Sequence, residues 1–234
     1  MDKYKLKLID ILEEAKGTNT YYFEKPADLT WEEGSHTHIG HIGFDEGEQP
    51  NKNWVRHMSI MTLPKENKIG ITTRVPGSSS EFKRKLSELK RGDEVILFKL
   101  GSRLQLKRCN RPIILISMGV GIAAFRPMIL AYKENKSDIP SLFNVNIDAS
   151  GEFIFKEELD QLVDESYRNY WVASRQDFYA KLQQLTKAEN AIYYIVGSDP
   201  FIKDMIPYLR EKQVKDEDMI LDKKEEKLQE YFIN

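Results

Sequence analysis

Cysteine is almost absent from this chain, and its scarcity limits the available chemistry. Only Cys109 occurs among 234 residues. A single thiol cannot form an internal disulfide, a cysteine-ligated zinc site or an iron–sulfur cluster held by this chain alone. The sequence therefore predicts a protein of a reducing compartment, and we expect it in the cytoplasm.

Long hydrophobic runs and an excess of one charge are also lacking. No stretch of about 18 consecutive apolar residues occurs, which predicts that no helix spans a membrane. Residues 1–30 carry Lys, Asp and Glu throughout, so we expect no signal-peptide core. Lys and Arg together number 35, against 37 for Asp and Glu. This balance gives no electrostatic reason to expect nucleic acid or a membrane surface as a partner.

The first part of the chain, residues 1–109, has the pattern of an antiparallel β domain. Its alternating, β-branched and aromatic segments are KYKLKLIDILEE, TNTYYFEK, WVRHMSIMTL, KIGITTRV and EVILFKL. One helix interrupts them, because Ser78 and Glu81 have the spacing of a capping box and Phe82 and Leu86 share one face. We predict a β-barrel with a single helix.

From residue 110 the pattern changes to alternating strands and helices. PIILIS is an uninterrupted apolar run, as expected of a strand buried on both faces. Four further strand-like segments follow, with helix-like segments between them. This order is typical of βαβ units. Residues 110–234 are therefore predicted to form a Rossmann-like α/β domain with a five-stranded parallel sheet. DKKEEKLQE at 222–230 is interpreted only as a charged segment.

Glycines stand at two strand ends of this second domain. Gly119 and Gly121 follow the apolar run and open a helix, and Gly197 ends AIYYIVG just before another helix. Backbone amides at a helix start, with the helix dipole behind them, suit a diphosphate. Ligands of open α/β sheets bind outside the carboxyl ends of the strands. Each glycine alone more often marks a plain turn, but two glycine turns at strand ends of the same sheet strengthen the interpretation as a ligand site.

A third phosphate-like feature lies in the β domain. PGSSSEF places Gly77 and three serines at the start of its helix, and Arg56 lies within the apolar strand run WVRHMSI. For the serines alone, a well-capped helix is the better explanation, and an arginine within a strand usually faces solvent. An arginine in a strand can also reach an anion.

In this order, RHMSI, GSSSEF, GVGIAAF and YIVGSDPF resemble the motifs of the ferredoxin–NADP reductase superfamily. The family patterns are Arg-x-Tyr-Ser/Thr, Gly-x-x-Ser, Gly-x-Gly-Ile-x-Pro and Cys-Gly-x-x-x-Met, and the match spans roughly residues 5–222. The resemblance implies an FAD-binding β-barrel over residues 1–109 and an NAD(P)-binding domain over residues 110–234.

The resemblance also implies roles for single residues. Arg56 is expected to pair with an FAD phosphate. Ser59 is expected to hydrogen-bond the flavin near its reactive N5, which makes it the one catalytic residue. The other residues implied to bind FAD are His57, Met58, Thr72, Thr73, Arg74, Gly77, Ser78, Ser79 and Ser80.

For the nicotinamide nucleotide, the resemblance implies contacts at the strand ends. Ser174 and Arg175 match a pair that grips the 2′-phosphate of NADP in many members, so we expect NADP, with NAD as the alternative. A carboxy-terminal aromatic residue, Tyr231 or Phe232, is expected to cover the flavin. The residues implied to line the crevice for the nicotinamide are Gly119, Val120, Gly121, Gly197, Ser198 and Asp199.

The chain departs from the family pattern in places. Met58 replaces the tyrosine that stacks on the flavin, although a thioether still packs on an aromatic face. Val196 replaces a cysteine, Ser198 and Ala124 each replace a proline, and Ile147 stands where some relatives have an arginine.

Two other side-chain patterns could indicate a metal site or an acyl-transfer site. His36 and His38 share one strand face and His41 lies on the other, but no carboxylate accompanies them, so we predict no metal site. Ser80 and Lys83 have Ser-x-x-Lys spacing without its companion motifs, so helix capping explains the serine better.

The resemblance implies a flavin-dependent oxidoreductase that takes a hydride from NADPH onto FAD and passes electrons to a separate small redox protein or small molecule. Two alternatives remain. One is an NAD(P)H-dependent reductase of free flavin, which Met58 favours. The other is a redox-inert regulatory or electron-relay subunit with the same fold.

Overall fold

The structure is a computed structural model that describes residues 2–75, 77 and 80–233. The chain divides into two compact units, Met1–Gln105 and Leu106–Asn234, which we call the β unit and the α/β unit. Each unit has its own hydrophobic core. Over the residues that the structure describes, every helix is too short or too polar to cross a membrane.

The β unit is built on one antiparallel sheet of six strands. They are β1 (Lys3–Ala15), β2 (Thr18–Glu24), β3 (Ser35–His41), β4 (Val55–Ser59), β5 (Lys68–Arg74) and β6 (Glu94–Ser102), in the order β4-β3-β6-β1-β2-β5. Just after β4, the Met61 amide donates to the Gly70 carbonyl of β5 at 2.9 Å. The two outermost strands therefore approach each other, and the sheet curls into a half-barrel, which confirms the predicted antiparallel barrel.

Over the described residues of the β unit, one α-helix, α1 (Glu81–Glu88), closes the core. Phe82 and Leu86 of α1 are fully buried against the strands, as their spacing predicts. The predicted capping box is wrong. Ser80 is the N-cap and Glu81 is the first helical residue, and the Glu81 carboxylate accepts a hydrogen bond from Trp54 Nε1 at 2.7 Å.

The α/β unit is built on one parallel sheet of five strands, as predicted. They are β7 (Ile113–Met118), β8 (Leu142–Ile147), β9 (Tyr167–Val172), β10 (Ile192–Val196) and β11 (Met219–Leu221), in the order β11-β10-β7-β8-β9. Apolar runs such as β7 and β10 are buried on both faces, which explains their lack of alternation. The strand order reverses between β7 and β10, so the topological switch point lies there.

Five helices accompany this sheet among the described residues. They are α2 (Ile122–Glu134), α3 (Lys156–Asp160), α4 (Arg175–Leu185), α5 (Asp199–Glu211) and α6 (Glu225–Phe232). The segment interpreted as merely charged thus contains α6. None of its described residues is fully buried, although Leu228, Tyr231 and Phe232 pack against the core of the α/β unit. A helix with so little buried surface leaves a weak apolar pattern in the sequence.

Candidate functional site

Three cations meet at the start of α1 in the β unit. Arg56 lies on β4, and its Nη2 donates to Ser80 Oγ at 3.0 Å, while its Nη1 donates to the carbonyl of Val55 at 2.7 Å. Lys83, in the first turn of α1, donates from Nζ to the carbonyl of Arg74 at 2.8 Å. These hydrogen bonds connect β4 to the N-cap of α1, and α1 to β5.

The electrostatics of this cluster suit an anion. Burial lowers the pKa of Lys83, and the positive charges of Arg56 and Arg74 lower it further. Within the described part of the chain, neither Arg56 nor Lys83 forms an ion pair with a carboxylate. Like charges gathered close together are costly, and an anion that joins them lowers this cost. We call Arg56, Arg74 and Lys83 the cation cluster.

Lys83 is the residue of this cluster that the sequence did not assign to a cofactor. Its spacing from Ser80 was noted only as part of an acyl-transfer pattern, yet the same spacing places Lys83 one helical turn after the N-cap. Gly77 adopts a positive φ of 72° and is exposed. Ser78 and Ser79, also predicted to bind FAD, lie outside the described residues.

The other residues predicted to bind the flavin lie on β4 and β5. Ser59, the predicted catalytic residue, is half-buried at the end of β4. Met58 packs against the core of the β unit. Thr72 and Thr73 are buried in β5, and the Thr72 hydroxyl is hydrogen-bonded to that of Thr20 at 2.7 Å.

Three imidazoles gather on the sheet beside this site. The ring of His57 lies 4.3 Å from that of His36 and 5.5 Å from that of His38, measured between centroids. Arg103 Nη1 lies 3.5 Å from His57 Nε2. His41 faces the opposite way, and its Nε2 is 2.9 Å from the carbonyl of Phe82. The predicted division of the histidines between the two strand faces is therefore correct.

His36 gives the β unit a pH-dependent stability. Burial lowers the pKa of His36 to about 3, and the charges of His57, Arg103 and His38 add to the effect. The unfolded chain binds a proton below about pH 6.5, whereas the folded chain does not until about pH 3. The stability present at neutral pH is therefore lost progressively as the pH falls below 6.5. His36 should contribute a loss of about 2 kcal/mol between pH 7 and pH 5.

Urea unfolding of the wild type and His36→Phe at pH 7 and pH 5 checks this prediction. Phenylalanine fills the same buried space without a titrating group, so the variant should lose less stability on acidification than the wild type. An equal loss in both proteins would show that His36 does not carry the effect.

In the α/β unit, the predicted glycines flank the switch point. Gly119 adopts a positive φ of 55°, and with Val120 and Gly121 it forms a 3₁₀ turn between β7 and α2. A Cβ on Gly121 would lie 2.8 Å from the carbonyl oxygen of Val196, at the end of β10. Gly197 follows directly, and a Cβ there would clash with the ring of Phe201. The structure thus brings both glycine turns together, and the packing of β10 itself requires Gly121.

The polar residues predicted near these turns act as helix caps. Ser174 Oγ accepts from the Asp177 amide at 3.1 Å and donates to Asp177 Oδ2 at 2.7 Å, at the start of α4. Ser198 caps α5 by accepting from the Phe201 amide. The side chain of Arg175 is 79% exposed and lies 3.8 Å from Asp204 Oδ2.

The carboxy-terminal helix α6 and the segment before it are hydrogen-bonded to Asp199 at the start of α5. Asp199 Oδ1 accepts from Lys223 Nζ at 2.6 Å and from the Tyr231 hydroxyl at 2.8 Å, and these hydrogen bonds lower the pKa of Asp199. Phe232 packs against the α/β core, and its carbonyl accepts from Arg210 Nη2 at 2.6 Å. In this structure Phe232 and Tyr231 have packing and hydrogen-bonding roles within the α/β unit.

Several solved structures are similar to this chain. A ferredoxin–NADP reductase from Neisseria gonorrhoeae with bound FAD and NADP has a TM-score of 0.79 and 15% identity, covering 94% of this chain and 98% of that one. Flavohemoglobin from Malassezia yamatoensis, with bound FAD and heme, has a TM-score of 0.77 and 15% identity, covering 95% and 60%. The FAD/NAD-binding domain of nitric oxide dioxygenase from Vibrio cholerae has a TM-score of 0.72 and 19% identity, covering 93% and 97%.

These likenesses show the fold. The chain has the two-domain fold of these solved structures, one of which is a ferredoxin–NADP reductase, and this is the fold that the resemblance implies. It spans 60% of the flavohemoglobin's length and nearly all of the other two structures. By sequence, no protein-family model and no curated protein matches this chain.

Proposed function

We propose that this chain is a flavin-dependent NAD(P)H oxidoreductase that binds FAD in its β unit and a nicotinamide nucleotide in its α/β unit. The cation cluster is the observation that carries the proposal. Arg56 and Lys83 converge on the start of α1 without a partner carboxylate among the described residues. One fold can carry many functions, so the proposal also needs a site whose chemistry matches the function.

The residues of the β unit fit the diphosphate of FAD. The planar fork of Arg56 suits bidentate contact with phosphate, and Lys83 and Arg74 add positive charge nearby. Ser80 adds a hydroxyl, and the amide groups at the start of α1, with the helix dipole behind them, favour negative charge. We assign Ser59 the role of a hydrogen-bonding residue at the flavin ring, since it ends the strand that carries Arg56.

The α/β unit supports binding of the nicotinamide nucleotide at the switch point between β7 and β10. The turn Gly119–Gly121 and Gly197 leave little side-chain bulk at this edge, so a ligand can approach the backbone closely. FAD, when bound, accepts the hydride and passes electrons on. The chain's own residues then need only bind and orient the two nucleotides, so no general acid or base is required.

The electron acceptor is proposed to be a separate small redox protein or small molecule. One cysteine is too few for an iron–sulfur cluster in this chain. Met58 favours a second candidate function, the reduction of free flavin, because a thioether holds the ring less specifically than a tyrosine does.

The visible spectrum of the purified protein tests the proposal. A yellow protein that is bleached anaerobically by NADH or NADPH supports the oxidoreductase with resident FAD. A colourless protein that oxidises the nucleotide only when flavin is added supports the free-flavin reductase. Absence of turnover in both assays would contradict both functions and leave the redox-inert subunit.

A further inference from the structure

One acidic side chain stands beside the glycine turn of the α/β unit. Asp148 directly follows β8 and is only 9% exposed. Its Oδ1 accepts from the amide of Ser150 at 3.0 Å and from the Ser150 hydroxyl at 2.7 Å. Its Oδ2 lies on the side of Gly119, where a Cβ would come within 3.4 Å of it. The carboxylate is therefore fixed in place next to the turn.

Hydrogen bonds fix the position of the Gly119 turn relative to the Asp148 carboxylate. Asn146 lies on β8, two residues before Asp148, and both side chains reach Gly119. Asn146 Nδ2 donates to Ser117 Oγ at 2.9 Å and to the Gly119 carbonyl at 3.1 Å. The Asp148 amide also donates to the Val172 carbonyl at 3.0 Å, which ties it to β9.

In a parallel α/β sheet, an acid at the end of the strand next to a glycine turn can recognise a dinucleotide. When a dinucleotide places its diphosphate on a glycine turn, an acid at the end of the neighbouring strand accepts hydrogen bonds from the adenosine ribose. A 2′-phosphate at that place would bring like charges together and needs a cation instead. Here β8 is the neighbour of β7, and it ends in an apolar residue, Ile147, followed by Asp148.

The residues that follow β9, the next strand of the sheet, add little attraction for a 2′-phosphate. Arg175 is the cation at the end of β9, but its side chain is mostly exposed and faces Asp204. Ser174 is hydrogen-bonded to the carboxylate of Asp177. An exposed arginine near acids offers little net attraction for a further phosphate.

We infer that Asp148 selects NADH over NADPH. Its Oδ2 accepts a hydrogen bond from the 2′-hydroxyl of the nucleotide and repels a 2′-phosphate. This inference rests on the proposed function, and it replaces the expectation of NADP that Ser174 and Arg175 suggest. Asp148 acts as a specificity-determining residue and takes no part in hydride transfer.

Calorimetric titration of the full chain with NAD⁺ and with NADP⁺ tests the inference without depending on turnover. The wild type should bind NAD⁺ about tenfold or more tightly than NADP⁺. Asp148→Asn keeps the Oδ1 acceptor for Ser150 but removes the charge, so the ratio of the two affinities should fall about tenfold. Asp148→Glu keeps the charge and should retain the discrimination against NADP⁺.

Glu189→Gln is the matched control, because it removes an exposed acid from the segment between α4 and β10 of the same unit and should leave the ratio unchanged. Tighter binding of NADP⁺ by the wild type, or an unchanged ratio in Asp148→Asn, would overturn the inference. So would a selective loss of NADP⁺ affinity in Arg175→Ala. These results would leave the proposed function standing, whereas binding of neither nucleotide would overturn both.

Discussion

Replacing Arg56 by alanine should weaken FAD binding about 10- to 100-fold, because a hydrogen bond between charged groups is worth about 1.5–3 kcal/mol. The guanidinium is the one group of the cation cluster that also holds Ser80, at 3.0 Å. The substitution removes the positive charge that faces the diphosphate. It also removes the hydrogen bond to Ser80 at the start of α1. Titration of the apoprotein with FAD, followed by quenching of flavin fluorescence, measures the change.

Two further variants separate the shape of Arg56 from its charge. Arg56→Lys keeps the charge without the planar fork, so its FAD affinity should fall between those of the wild type and Arg56→Ala. Lys83→Gln should weaken binding as well, and both losses should shrink as salt is raised, because salt screens the phosphate contacts.

Lys85→Gln is the matched control for this series. Lys85 lies in the same helix, but its ammonium stacks over the Trp54 ring at 4.0 Å and is not part of the cation cluster. Its replacement should change FAD affinity less than threefold, because its charge lies outside the cation cluster. If Arg56→Ala bound FAD as tightly as the wild type, the assignment of the diphosphate site would be wrong.

Much of the fold was predictable from the sequence because its strands have distinct burial patterns. The continuous apolar runs of β7 and β10 are buried on both faces, which only a covered parallel sheet allows. The start of α1 was less predictable. Three consecutive serines offer equivalent N-caps, and the choice of Ser80 is accompanied by the hydrogen bond between Trp54 and Glu81, which are distant in sequence.

The candidate site was predictable only in part, because some of its contacts join residues that are distant in sequence. Arg56 stands out because a cation within an apolar strand calls for an explanation. Lys83 does not, since a lysine on an amphipathic helix is normally solvated, and its burial arises from a contact with the carbonyl of Arg74. Asp148 follows a strand like many loop acids, and its importance appears only when the sheet brings it beside Gly119.

The glycine turn of the α/β unit leads to the second large expected effect. Gly121→Ala should destabilise the protein by about 1–3 kcal/mol and reduce affinity for the nicotinamide nucleotide. Gly121 has helical dihedral angles, φ −57° and ψ −25°, so alanine would be favoured there by helix propensity alone. The added methyl, however, would lie 2.8 Å from the Val196 carbonyl. That oxygen cannot retreat easily, because β10 pairs with strands on both sides.

Thermal unfolding and nucleotide titration of Gly121→Ala check this prediction, with Gly47→Ala as the control. The same methyl at Gly47 meets its nearest atom, the Gln49 carbonyl oxygen, at 3.5 Å, which is an ordinary contact. The control should therefore unfold close to the wild-type temperature and bind the nucleotide normally. Because the methyl at Gly121 pushes on the strand end that precedes Gly197, stability and nucleotide affinity should fall together. Wild-type stability in Gly121→Ala would mean that β10 yields to the methyl, and the glycine would then be required by the ligand rather than by the packing of the sheet.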